Sequence, residues 1–295
     1  MNESGLPRAL QSGSPALFRR MINLSLKRWR DEAGLKQAES ATRIGRSIAH
    51  ISNIENDRLP PASDLELLLD LYGKGDRIPF MRELLAAARN ANRWWASLSG
   101  NVPKWFDLFL GLEFGATELA SFDCRTVPGM LQTPAYAHAV ISGNPNLSEA
   151  EVAQLVEVRV GRQQILDRDN EPARLVAVVD ESVLYRKRGD GHVMIEQMKH
   201  LIEASRRPQI ELLVLPFDAA PNPAQDGGSF YLLDFPTETD DPGLVYVELV
   251  TGGEYVEDAR DIEQYRHALD TLRDLAADQK SSRAIIQRAL KEVKL

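Results

Sequence analysis

The sequence predicts an all-α N-terminal bundle followed by a C-terminal α+β domain. Apolar residues recur every three or four positions between Ile22 and Tyr72, which is the period of amphipathic helices. After residue 115, short β-branched or apolar runs alternate with helical segments, a pattern typical of a mixed domain. The chain has 295 residues, 43% of them apolar, which is enough for two domains that each bury a core.

The composition places four segments along the chain. Residues 1–16 are rich in Gly, Ser and Pro and are predicted to be a disordered tail. Residues 17–75 form the helical domain, 76–114 a helical connector, and 115–295 the α+β domain. Within the last segment the apolar runs predict strands at 175–179, 210–215, 230–235 and 244–250. Helices are predicted at 148–169, 191–205, 259–277 and 282–294, the last of them capped by Ser282. An acidic loop bounded by prolines separates the last two strands, so we expect these strands to pair antiparallel.

The charge is unevenly distributed. The net charge is −8, yet residues 1–62 contain ten basic and six acidic residues and the rest carries −12. A basic head on an acidic body favours a nucleic-acid-binding domain with a separate control domain. No apolar run is long enough to span a bilayer and no secretory signal is evident, so we expect a cytoplasmic protein. The single cysteine, Cys124, agrees with a reducing compartment and is interpreted as a buried thiol, with a redox sensor as the alternative.

The sequence lacks the motifs of common catalytic and metal sites, so we predict neither an enzyme nor a bound cofactor. The five histidines are scattered without partners at metal-ligand spacing, and no nucleophile elbow or phosphate loop is present. The alternative is a hydrolase in which Asp180, Glu181 and Glu248 form a carboxylate cluster. Adjacent strand residues face opposite sides of a sheet, so Asp180 and Glu181 share a cavity only if the strand has ended. A helix cap at Asp180 is the structural alternative.

The most informative stretch runs from residue 26 to 61. A first helix ends at Gly34, a second runs from about Lys36 to Ile44, and Gly45 permits a tight turn. Ser47 is predicted to cap a third helix. A steep pair of short helices with an exposed second helix is the shape that the DNA major groove accepts. The residues that fall on that exposed face are Ile48, Ala49, His50 and Asn53.

This stretch resembles the lambda-repressor-like (Cro/C1-type, or XRE) helix-turn-helix family. The matching positions are Gly34, Leu35, Gln37, Ala41, Ile44, Gly45, Ser47, Ile51, Ser52, Ile54, Glu55 and Asn56. The resemblance implies that Ile48, Ala49, His50 and Asn53 read bases, with Asn53 suited to adenine. The residues expected at phosphates are Gln37, Arg43, Arg46, Ser47 and Arg58, with solvated surface charges as the alternative for the arginines. Lys36 departs from the usual Thr or Ser cap, and Asp57 replaces the common glycine.

The C-terminal region is similar to the domain of unknown function in actinobacterial WhiJ-like regulators. The similarity lies in segments 127–133, 159–163, 179–181, 214–217 and 246–253. It implies an antitoxin-like or developmental transcription regulator whose partner is a small protein encoded nearby. The residues that we assign to an effector or partner site are Gln132, Arg159, Arg162, Asp180, Glu181 and Glu248. Arg159 and Arg162, three apart on a helix, could clamp an anion or could be ordinary surface residues.

Together these patterns predict a DNA-binding regulator. The head is expected to bind double-stranded DNA as a homodimer, because one short module reads few base pairs. The α+β domain is expected to respond to a small protein partner or a small-molecule effector. Two other classes stay open: an enzyme with an appended DNA-binding head, and a helix-turn-helix that serves only protein contacts.

Overall fold

The computed structural model describes residue 10 and residues 13–90, 102–169 and 171–294. It divides into two compact units, which are described separately. The first comprises Met1–Arg93 with Pro236–Asp241, and the second comprises Trp94–Phe235 with Pro242–Leu295. Most of the predicted tail and residues 91–101 of the predicted connector lie outside the described residues.

The first unit is helical, as predicted. Its helices are α1 (Pro15–Glu32), α2 (Gln37–Arg43), α3 (Ile48–Asn56), α4 (Ala62–Leu71) and α5 (Ile78–Arg89), with a 3₁₀ turn at Gly75–Arg77. Their apolar stripes meet in one core, in which Leu17, Ile22, Ile51, Ile54 and Leu65 are each at most 1% exposed. Burying such a stripe is what holds short helices together in water.

Two glycines and a serine set the helix boundaries around α2 and α3. Gly34 and Gly45 have φ of +69° and +67°, a left-handed conformation that costs glycine no Cβ clash. The Ser47 hydroxyl accepts a hydrogen bond from the His50 backbone N–H at 3.1 Å, which confirms the predicted cap of α3. At the start of α2, Lys36 offers no cap oxygen, and the Glu39 carboxylate instead accepts from the Lys36 N–H at 2.7 Å.

A buried ion pair between Arg30 and Glu55 connects helices of the first unit. Arg30 of α1 donates through Nε and Nη2 to the Glu55 carboxylate of α3 at 2.6 and 2.9 Å. Gln37 of α2 donates from Nε2 to the same carboxylate at 2.8 Å. One buried acid therefore fixes three helices relative to one another.

The segment Pro236–Asp241 also belongs to the first unit, although it is distant in sequence from the other residues. Asp241 accepts hydrogen bonds from Nε and Nη2 of Arg20 in α1 at 2.7 and 3.1 Å. Both side chains are buried. The position of this segment in the first unit could not be read from the linear sequence.

The second unit contains a six-stranded mixed sheet within the described residues. Its strands are β1 (Glu118–Asp123), β2 (Arg174–Asp180), β3 (Ile210–Leu215), β4 (Phe230–Asp234), β5 (Leu244–Leu249) and β6 (Gly252–Val256). The strand order is β3-β2-β1-β4-β5-β6. β1, β2 and β3 pair in parallel, and β4, β5 and β6 join antiparallel. The predicted antiparallel pairing of β4 with β5 is confirmed, whereas the sequence did not predict β1 or β6.

Helices accompany the sheet. They are α6 (Lys104–Gly115), α7 (Pro134–Ile141), α8 (Glu149–Gly161), α9 (Ser182–Tyr185), α10 (Gly191–Ala204), α11 (Ala224–Gly227), α12 (Ala259–Leu275) and α13 (Gln279–Glu292). The prediction that Ser282 caps the last helix is wrong, because α13 begins earlier and Asp278 accepts from the Ser281 N–H. The Ser282 hydroxyl instead accepts from the β3 backbone at Val214. In the described part of the chain, no helix combines the length and the apolar character that crossing a bilayer requires.

The two faces of the sheet differ in chemistry. On one face Phe122, Val178, Phe230 and Val245 pack with the apolar stripe of α12. Because side chains alternate along a strand, the neighbouring positions face the other way. That second face carries the buried Ser121, Asp123 and Tyr246 and the half-buried Tyr231.

Candidate nucleic-acid interface and polar cluster

The exposed face of α3 is the candidate DNA-reading surface. Ile51 and Ile54 are buried in the core, whereas Ile48 is 54% exposed and Ala49 and Asn53 are also exposed. His50 is half-buried. An isoleucine that stays more than half exposed at the start of a helix is available for contact with a thymine methyl. The predicted base-reading residues therefore share one side of α3, and their individual roles stay predictions.

Two of the predicted phosphate-contacting arginines are unengaged. The side chains of Arg43 and Arg58 are exposed, and neither forms an ion pair within the described residues. Gln37 is different, because its Nε2 already donates to Glu55. The amide nitrogen carries two hydrogens, so the second one is available to a phosphate oxygen.

Arg46 and His50 meet on one buried carboxylate. Arg46 donates from Nε and Nη2 to Asp64 of α4 at 3.0 and 2.9 Å. The Nε2 atom of His50 lies 2.7 Å from the same carboxylate. The hydrogen bonds from Arg46 hold the pKa of Asp64 below its usual value, although burial acts in the opposite direction. Sequence analysis missed Asp64, since its partners lie 14 and 18 residues away.

The second unit contains a polar cluster around two arginines. Arg162 donates to both oxygens of the Glu113 carboxylate at 2.6 Å, and both residues are at most 5% exposed. Burial opposes the charge on Arg162, but the carboxylate of Glu113 raises its pKa. Arg159 donates only to the Gln132 side chain, at 3.2 Å, and forms no ion pair with any described residue. Burial and the neighbouring Arg162 lower the pKa of Arg159. A half-buried guanidinium with no carboxylate at ion-pair distance is the less usual of these two arrangements.

The polar face of the sheet continues this cluster. The Tyr231 hydroxyl donates to Asp123 Oδ1 at 3.0 Å, and Asp123 is 3% exposed. Burial raises the pKa of Asp123 to about 7, against the effect of the Ser121 and Tyr231 hydroxyls. Asp123 Oδ2 and the Tyr246 hydroxyl are buried without a hydrogen-bond partner among the described residues. Glu248 is exposed and interacts electrostatically with Asp123 and Arg159.

The predicted effector residues thus separate into two groups. Gln132, Arg159, Arg162 and Glu248 belong to the polar cluster just described. Asp180 and Glu181 have other partners: Asp180 accepts from the Ser182 N–H at 2.9 Å, and Glu181 accepts from Arg288 at 2.7 Å. Glu181 also accepts from the Phe217 N–H at 3.1 Å. The sequence pattern missed Asp123 and Tyr231, which lie 108 residues apart on strands that pair with each other.

Comparison with known proteins yields two family matches. A family model described as a domain of unknown function, DUF5753, matches residues 106–288, which is more than half of the chain. A model described as a helix-turn-helix domain matches residues 24–77, which include α2 and α3. No curated protein and no solved structure matches the chain.

Proposed function

We infer that this chain, which belongs to the DUF5753 family and carries a helix-turn-helix domain ahead of it, is a sequence-specific DNA-binding transcriptional regulator. The observation that carries this proposal is the exposed face of α3, with Ile48, Ala49 and Asn53 unburied beside the unengaged Arg43 and Arg58. Groove-reading helices combine such a face with flanking phosphate contacts. Because it acts on DNA, we propose that the protein works in the cytoplasm.

The experiment is selection of genomic fragments by the purified full chain, followed by sequencing. Salt of about 150 mM suppresses purely electrostatic binding, so an enriched motif reports base recognition. An enriched inverted repeat would support both the reading face and a homodimer on two half-sites. Recovery of no motif by the wild-type chain would contradict the proposal and favour a helix-turn-helix that serves protein contacts.

The second unit is proposed to receive the signal. Support comes from the polar cluster, where Arg159 forms no ion pair with a described residue and Asp123 keeps one carboxyl oxygen without a hydrogen bond. Such groups suit a small-molecule effector or a side chain of a small protein partner that brings an anion. The finer assignment, an antitoxin-like regulator of the WhiJ-like type, rests on the resemblance of the sequence motifs alone. A test compares operator occupancy in cells under different growth conditions for wild type and Arg159→Gln, with the exposed Arg206→Gln as the control. Unchanged responsiveness of Arg159→Gln would contradict this role.

The chain is proposed to act by binding and not by catalysis. The carboxylates of the alternative hydrolase are engaged differently, since Asp180 bonds the following turn and Glu181 is paired with Arg288. A general acid or base needs access to substrate, and Glu181 is 3% exposed with both carboxylate oxygens already accepting hydrogen bonds. Turnover of a generic ester or nucleotide substrate that is lost in Glu181→Gln would favour the hydrolase.

A further inference from the structure

Asp64 connects two residues of the candidate DNA interface without being able to reach DNA itself. Its side chain is fully buried at the third position of α4, yet it accepts from Arg46 and is hydrogen-bonded to His50. Arg46 lies in the turn before α3, and His50 lies in the first turn of α3. A single carboxylate therefore positions both Arg46, a predicted phosphate contact, and His50, a predicted base contact.

The protonation of Asp64 determines which His50 nitrogen carries hydrogen. An ionised carboxylate has no hydrogen to donate, so the bond at 2.7 Å requires a hydrogen on His50 Nε2. In the neutral imidazole the other nitrogen, Nδ1, is then an acceptor. No described residue hydrogen-bonds to Nδ1, and the His50 side chain is 31% exposed.

The same carboxylate restrains the long side chain of Arg46. Its Nε and Nη2 are both engaged by Asp64, whereas Nη1 has no partner among the described residues. The Arg46 side chain is 47% exposed, so it can donate from Nη1 while it stays bonded to Asp64. A side chain that is ordered before binding loses less conformational freedom when it meets a phosphate.

We propose that Asp64 is a positioning residue for DNA recognition, which holds the Nε2–H of neutral His50 so that Nδ1 faces DNA as an acceptor, and which preorients Arg46 as a phosphate donor. The base that His50 then selects must present a donor in the major groove, which is the exocyclic amino group of adenine or cytosine. This inference rests on the proposed DNA-binding function. The alternative is that Asp64 competes with DNA phosphates for Arg46 and so weakens DNA binding.

The test compares wild type with Asp64→Asn in the full chain. Asp70→Asn is the matched control, because it removes the same charge from an exposed position on the same helix. The imidazole ¹⁵N shifts of DNA-free protein report the His50 tautomer, with His50→Gln to assign the signal. We expect the Nε2–H tautomer in wild type and in Asp70→Asn, and a mixture of tautomers in Asp64→Asn, whose amide can accept or donate.

Two DNA measurements complete the test. Selection from random duplexes should show a donor-bearing base at one position, and Asp64→Asn should lose that preference. Its affinity for duplex DNA should fall about two- to tenfold, the cost of ordering one long side chain. An Nδ1–H tautomer in wild type, tighter binding by Asp64→Asn, or an unchanged preference in folded Asp64→Asn would each overturn the proposal. If wild type retains no duplex DNA, the proposed function fails, while the tautomer, measured without DNA, still decides whether Asp64 fixes the ring.

Discussion

The guanidinium of Arg30 and the carboxylate of Glu55 form a doubly hydrogen-bonded ion pair inside the helix-turn-helix unit. Arg30 is 8% exposed and Glu55 is 5% exposed. The pair joins α1 to α3, the helix that carries the reading face. The position of that face therefore depends on two buried, opposite charges. Removing both charges and removing one should therefore have very different consequences.

Glu55→Gln should lower the free energy of unfolding of the first unit by up to about 3–5 kcal/mol, because it leaves the buried Arg30 with only the exposed Asp31 as counter-ion. Hydrogen exchange of α1 and α3 peptides under increasing urea measures this loss. Arg30→Met combined with Glu55→Leu should recover most of the stability. Glu66→Gln, which breaks an exposed pair with Arg82, is the control and should cost about 1 kcal/mol or less. Equal losses in Glu55→Gln and Glu66→Gln would contradict the role of the buried pair.

Asn53→Ala should reduce discrimination at one base position by about 1–3 kcal/mol, because an asparagine amide can form paired hydrogen bonds with adenine. Binding to random DNA should change little, since Asn53 carries no charge. Competition with single-base variants of the selected operator measures the change. Asn56→Ala tests another asparagine of α3, whose side chain donates to Ser52, and should leave base preference intact. An unaltered preference in Asn53→Ala would mean that the reading face is assigned incorrectly.

Sequence patterns predicted most of the long helices but not α7, and they predicted the sheet less completely. Glycines at 34 and 45 and the serine at 47 are local signals, and the structure places the helix boundaries beside them. Strand β1 reads ELASFD, with small or charged residues that have little intrinsic preference for a strand. It is a strand because β2 and β4 hydrogen-bond to both of its edges. Strand β6 begins with two glycines, which also have little preference for a strand, so the sequence did not predict it.

The candidate sites were predictable only where a motif is local. The residues on the exposed face of α3 follow from helical spacing. Contacts such as Asp64 with Arg46, or Asp123 with Tyr231, join residues from different elements, and no spacing rule for a single element encodes them. Helix packing and strand pairing decide them, so one sequence alone does not reveal them.

Substitution of Arg162 and of Arg159 should change stability very differently, although the two residues lie three positions apart. Arg162→Gln leaves Glu113 buried without its counter-ion, so the second unit should lose about 3–5 kcal/mol of unfolding free energy. Arg159→Gln removes a cation that has no carboxylate partner, so stability should stay within about 1 kcal/mol or increase. Urea denaturation of both full-length variants, followed by hydrogen exchange of β1, β4 and β5, measures the difference. A large loss in Arg159→Gln would show that its charge is compensated in the folded protein.

Asp123 should make the second unit less stable as the pH rises from about 4 to 7. Its folded pKa is about 7, raised by burial, whereas an unfolded aspartate titrates near 3.9. Between these values the folded protein binds the extra proton, so the free energy of unfolding falls as the pH increases, by a total on the order of 4 kcal/mol.

Asp123→Asn keeps an acceptor for the Tyr231 hydroxyl but cannot ionise. Its advantage over wild type should therefore grow between pH 4 and 7 and stay constant above that range. Hydrogen exchange of β1 peptides in urea, compared at each pH with the exposed Asp218→Asn, measures this advantage. Parallel pH profiles for wild type and Asp123→Asn would show that Asp123 is ionised in the folded protein across the whole range.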